Sequence, residues 1–232
     1  MKNSMKKSTL LSMVAAMVLT TSVGFASPQT DFTAGKTSVD VMYRQSDINA
    51  TGPGFSDSLD KRGNLDFGIT TGLGSNFALQ YNGFNAKSKA TSLPDGDGSS
   101  YNEQGTLKIQ EFNVLYKLDK NVSAFAGLVK VKGEISADGS TMSSSIKNKV
   151  QLGLIGTTKL ADKTTAYAQV GFASDYTNWK IGVSQEIAPN LELNVDYRKT
   201  SAKKLSFNDG VGGVTDVDVT TKGIGVGVTY KF

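Results

Sequence analysis

The 232 residues include 25 lysines and arginines against 21 aspartates and glutamates, with no histidine and no cysteine. The missing cysteines exclude disulfide staples and thiolate metal sites, and the missing histidines exclude the usual imidazole base and Ser–His nucleophile pair. Three lysines and no acids fall in residues 1–26, so the remainder is near neutral and lacks the basic footprint of a nucleic-acid binder.

The chain opens with Lys2, Lys6 and Lys7, continues with an apolar stretch from Leu10 to Leu19, and then reaches the small residues Gly24 and Ala26. This layout predicts a secretory signal peptide over 1–26, cleaved after Ala26. The apolar stretch is too short to cross about 30 Å of hydrocarbon, and no later apolar run is long enough for a transmembrane helix. Residues 27–232 are read as one all-β domain.

Period-two alternation dominates that domain. It predicts ten strands, over 33–44, 64–73, 77–86, 106–118, 122–133, 148–160, 164–174, 179–187, 191–200 and 222–232. Tight turns at 74–76, 119–121, 161–163 and 188–190 alternate with long polar loops at 45–63, 87–105, 134–147 and 201–221, with one short loop at 175–178. In LELNVDYR, Leu191, Leu193, Val195 and Tyr197 share one face and Glu192, Asn194, Asp196 and Arg198 the other. Leu115 and Ile155 break the pattern by falling on the polar side.

Alternation alone does not say which face is inside, and a soluble β-sandwich alternates too. Three observations favour a membrane barrel. The hairpins run up and down without a Greek-key irregularity. Aromatic residues on the apolar face gather near strand ends: Tyr43, Phe67, Trp179 and Tyr197 toward the long loops, and Phe77, Tyr116, Tyr230 and Phe232 toward the tight turns. Such belts suit water–lipid interfaces. The last strand runs apolar to Phe232, as a barrel whose final strand must pair with its first requires. The expected fold is a transmembrane antiparallel up-and-down β-barrel of about ten strands.

With its apolar face toward lipid, such a barrel would line its lumen with Asp40, Arg44, Asp66, Lys117, Lys130, Lys132, Lys180, Glu186, Glu192, Asp196, Arg198 and Lys231. Mixed charges in a confined interior need partners. They would form either a filling ion-pair network or a selective lining. Ten strands lie near the filled end of the size range, yet the glycines on that face, among them Gly68, Gly182 and Gly225, leave space beside the charges.

These features resemble the small bacterial outer-membrane β-barrel families: OmpA/OmpX-like, opacity-type and small porin barrels. The resemblance covers nearly all of 27–232. In those families the barrel-assembly machinery reads a terminal strand with an aromatic last residue, and Gly227, Tyr230 and Phe232 stand where that insertion signal is expected. Gly225 replaces the polar residue often found two places before the glycine. The resemblance implies an outer-membrane protein with periplasmic termini and no catalytic role, since the barrel enzymes use histidine.

Two functions stay open. One is a porin-like envelope barrel with a narrow passive conduit. The other is a non-conducting OmpX- or opacity-type surface barrel acting through its loops in adhesion or interaction. No cofactor or metal is expected: PDGDGSSYNE at 94–103 has the acidic spacing of a calcium loop, but Ser100 stands where the glycine belongs and Thr106 where the last acid belongs. Lys61, Arg62, Lys87, Lys89, Lys203 and Lys204 on the long-loop side suit the phosphates of lipopolysaccharide.

Overall fold

A computed structural model of the protein describes residues 28–94, 99–137, 139–208 and 213–232. The predicted signal peptide and residues 95–98 of the calcium-like loop lie outside them. Twelve strands run in chain order: β1 Thr37–Gly52, β2 Phe55–Gly74, β3 Phe77–Lys87, β4 Thr91–Pro94, β5 Ser100–Asp119, β6 Val122–Ala137, β7 Ser140–Ser143, β8 Lys147–Ala161, β9 Thr164–Ala173, β10 Tyr176–Ala188, β11 Leu191–Asn208 and β12 Val214–Lys231.

Every pairing is antiparallel. β12 pairs with both β11 and β1, and β5 pairs with both β3 and β6, so ten strands follow one another round a ring. The short β4 and β7 extend it, paired on β5 and β6. Tight turns close one end. Ser75 and Asn76 both adopt positive φ, as a two-residue hairpin turn requires.

The predicted long loops are corrected. β1 and β2 continue as a paired ladder to Gly52↔Phe55, so most of 45–63 is strand. β5 and β6 stay paired out to Glu103↔Ala137, and β11 and β12 to Asn208↔Val214. The strand predicted from residue 33 begins at Thr37, with a turn at 34–35 before it.

The reason is a reversal of polarity along the strands. On β1 the outward side chains change from Val39, Val41 and Tyr43 to Gln45, Asp47 and Asn49, while the inward ones change from Ser38, Asp40, Arg44 and Ser46 to Ile48 and Ala50. β12 does the same: Val228, Val226 and Ile224 face outward below Lys222, Thr220 and Asp218, and inward Thr229 and Thr221 give way to Val219 and Val217. On these two strands the lower zone is therefore apolar outside and mainly polar inside, and the upper zone is the opposite. A strand that keeps its period but changes the sign of its pattern reads as a broken signal, and its upper part looks like a loop.

Candidate functional site

The lumen is filled at three levels. At the tight-turn end, residues 28–36 fold back inside the ring. Phe32 packs with Ala78, Leu115, Phe125 and Ile155, and Lys117 Nζ donates to the Thr30 carbonyl at 2.8 Å. Backbone bonds from Gly72 to Lys36 (2.7 Å) and from Gly74 to Phe32 (2.8 Å) fasten the segment to β2. Leu115 and Ile155, anomalous in the sequence, are thus the socket of a plug made by residues 28–36. Beside it a cleft of about 350 Å³ opens between Lys36, Glu186, Glu192, Lys231 and Phe232, and Lys231 pairs with Glu192.

The middle level is an ion network. Arg44, on β1, donates from Nε to Asp66 on β2 at 2.7 Å and from Nη1 to Asp196 on β11 at 2.5 Å. Arg198 donates to the same Asp66 oxygen at 3.1 Å, and its guanidinium lies 4.3 Å from the centre of the Phe84 ring. Lys180 faces the Tyr167 ring at 5.7 Å, and Asp40 accepts from Thr229. A β-carbon on Gly225 would meet the Arg44 guanidinium at 2.8 Å, and one on Gly182 would meet the Tyr167 ring at 2.6 Å. The glycines therefore make room for Arg44 and Tyr167, and that space is occupied. Among the described residues, a cavity at this level bounded by Pro28, Met42, Asp66, Phe84 and Tyr167 is about 30 Å³, enough for about one water.

Glu111 is a buried centre that sequence reasoning missed. It accepts from Tyr176 at 2.9 Å, Asn178 at 3.1 Å and Asn82 at 3.1 Å. Its signal was present, since Glu111 and Asn113 alternate with the outward Phe112 and Val114. Gln151 donates to Asn113 at 2.7 Å and Asn113 to Gln80 at 3.1 Å, extending the network across the lumen.

The upper level is a hydrophobic core. Ile48, Leu59, Leu107, Ile109, Val129, Val131, Leu205, Phe207 and Val217 meet there, fully enclosed by the strands.

Asp40, Arg44, Asp66, Lys117, Lys180, Glu186, Glu192, Asp196, Arg198 and Lys231 lie on the inner side of the ring, spread over the two lower levels. Lys130 and Lys132 do not: the expectation that they line the lumen is corrected. On β6 the inward set is Ser123, Phe125, Gly127, Val129 and Val131, so both lysines project outward. The polarity reversal is the cause, because above Leu128 the apolar residues of β6 face in. Lys132 and Lys108 both donate to Glu134, at 3.0 and 2.7 Å. These hydrogen bonds hold the Glu134 carboxyl below its ordinary range.

The aromatic residues named from sequence project outward. Trp179 stacks on Tyr197 at 5.5 Å toward the long hairpins, and Phe77 meets Tyr116 at 4.9 Å and Tyr230 meets Phe232 at 4.8 Å toward the tight turns. Tyr43 and Phe67 are also exposed on the outer face. Gly227 lies opposite Met42, Tyr230 lies opposite Val39, and Phe232 donates its N–H to the Thr37 carbonyl at 2.8 Å. Among the described residues no group of three or more acids is placed to hold a metal ion.

No family model matches the chain, and no curated protein matches it. Solved structures do. The outer-membrane protease OmpT of Escherichia coli aligns over 89% of this chain and 100% of its own, at 9% identity and a TM-score of 0.56. Ail of Yersinia pestis aligns over 86% and 99%, at 15% identity and a TM-score of 0.42. OprG of Pseudomonas aeruginosa aligns over 88% and 98%, at 12% identity and a TM-score of 0.39. The OmpT likeness shows a shared barrel fold.

Proposed function

We propose that the protein is an integral outer-membrane barrel that does not conduct, and that it presents a rigid water-facing barrel above the membrane as an interaction surface. The observation that carries this reading is the polarity reversal. An exposed apolar belt needs lipid around the lower zone, while a polar exterior round an apolar core needs water around the upper zone. Of the two functions open from sequence, the filled lumen favours the surface barrel over the conduit. Residues 1–26 serve as the cleaved export signal, both termini face the periplasm, and Gly227, Tyr230 and Phe232 are the signal read by the assembly machinery. The buried carboxylates Asp66, Glu111 and Asp196 are each bound by arginine, tyrosine or amide partners, which suits structure rather than acid–base work, and we assign no catalytic role.

Single-channel recording of refolded 27–232 in a planar bilayer tests the reading. The expected result is a silent bilayer, with insertion shown separately by protease protection. Reproducible conductance steps would favour the conduit.

A further inference from the structure

The outward lysines of β5 and β6 lie at a particular height. Across these strands the outer face reads, row by row, Leu79–Val114–Ala126–Leu152, then Tyr81–Phe112–Leu128–Val150, then Gly83–Gln110–Lys130–Asn148, then Asn85–Lys108–Lys132. Lys130 is one row, about 7 Å along the strand, above the last apolar row, and Lys108 and Lys132 are one row higher. Among the described residues, three lysines share this patch with one acid, Glu134, which takes Lys108 and Lys132. Lys130 is exposed and makes no ion pair with a described residue.

Below this patch and to its side, the outer surface over β2, β3 and β5 is hollow, one strand of it shared with Lys108 and the next strand carrying Lys130 and Lys132. Ile69, Thr71, Leu79, Tyr81, Phe112 and Val114 enclose a cleft of about 300 Å³ open to the outside. Gln110 donates to the Tyr81 hydroxyl at 3.4 Å, and Tyr81 leans on Phe112 at 4.8 Å, so the upper lip is built and polar. An apolar hollow beneath a net positive patch is complementary to one kind of molecule: an acyl chain carrying a phosphate head.

We propose that the outer face of β2, β3, β5 and β6 is a specific site for a phosphorylated lipid of the outer leaflet. An acyl chain occupies the hollow, and the phosphate is held by Lys130 with Lys108 and Lys132. The site rests on the membrane orientation proposed above. Lys130 supplies the uncommitted charge, and the other two lysines add a field that Glu134 only partly cancels.

The test is native mass spectrometry of refolded 27–232 released from micelles containing hexa-acylated bisphosphorylated lipid A, its dephosphorylated form, or a zwitterionic phosphatidylcholine. One bisphosphorylated lipid retained per barrel is expected, with the other two lost. Lys130→Gln should weaken retention roughly fivefold, the effect of one lysine near a charged surface. Lys108→Gln, Lys130→Gln and Lys132→Gln together should weaken it more than tenfold, with the barrel's heat-shifted gel mobility unchanged. Thr71→Trp, which fills the hollow, should lower retention while leaving the lysines in place. Equal retention of phosphorylated and dephosphorylated lipid would overturn the proposal, as would wild-type retention by Lys130→Gln. Displacement by equimolar inorganic pyrophosphate would reduce it to a simple anion site and overturn the lipid assignment. A chain that fails to enter bilayers at all would instead refute the membrane orientation, and the insertion assay reads that separately.

Discussion

Arg44 is almost wholly buried and holds two carboxylates, Asp66 and Asp196, which also face Arg198 and Tyr167. Arg44→Met keeps most of the volume but leaves two buried acids short of a cation. It should cost about 3–5 kcal/mol in urea unfolding, the usual result of breaking a buried pair from one side. The same variant should stay electrically silent, because the apolar core above and the Phe32 plug below do not depend on it. On the outer surface Glu134 behaves differently. Its folded pKa lies below the unfolded value near 4.5 because Lys108 and Lys132 donate to it, so the folded state binds fewer protons. The stability it contributes is fully present above pH 4.5 and disappears as pH falls through the folded value. A Glu134→Gln variant should therefore lose that part of the acid sensitivity, visible as a smaller drop in the unfolding midpoint between pH 6 and pH 3.

A single strand can test the reversal. On β12, Val226 faces outward in the apolar belt and Val217 faces inward in the upper core, while Asp218 faces outward in the upper zone. Val226→Arg should cost about 2–4 kcal/mol at mid-bilayer depth. Val217→Asn should cost about 1–3 kcal/mol, through an amide left unsatisfied among apolar side chains. Asp218 accepts the Lys204 backbone N–H at 2.9 Å, so Asp218→Asn, which keeps an acceptor, should change stability by less than about 0.5 kcal/mol. Unfolding of the three variants from the same bilayer gives the comparison, and an equal cost for Val226→Arg and Asp218→Asn would contradict the reversal. The twin β11 reads the same way, since outward Leu193, Val195 and Tyr197 are followed by outward Lys199 and inward Ala202, Leu205 and Phe207. A search for apolar–polar alternation of one constant sign stops at residue 200 for that reason. The tight turns, in contrast, were legible from Gly, Asp, Asn and Pro alone, because their geometry is local.

For the molecule as a whole, the closure is redundant. Removing residues 28–35 should open the tight-turn mouth without producing conductance, because the upper core still blocks the lumen. A conducting deletion would show that this segment is the principal seal. Removing Phe232 takes away an N–H bond to Thr37 and one outer ring. It should reduce membrane levels in cells far more than it reduces the refolded barrel's unfolding midpoint, because the residue is proposed to be read during assembly.

Amino-acid order alone determined the strand alternation, the tight turns and the ten long strands, since each follows from a period or from a turn chemistry that spans only a few residues. It also marked Leu115 and Ile155 as misplaced, without supplying the Phe32 that explains them. Only the tertiary structure decided which side of each strand is inside at each height. That choice depends on the medium proposed around the barrel, apolar below and aqueous above, and an alternating pattern looks the same locally with either sign. Lys130 and Lys132 moved from the lumen to the outer surface for that single reason, and Val129 and Val131 took the places inside.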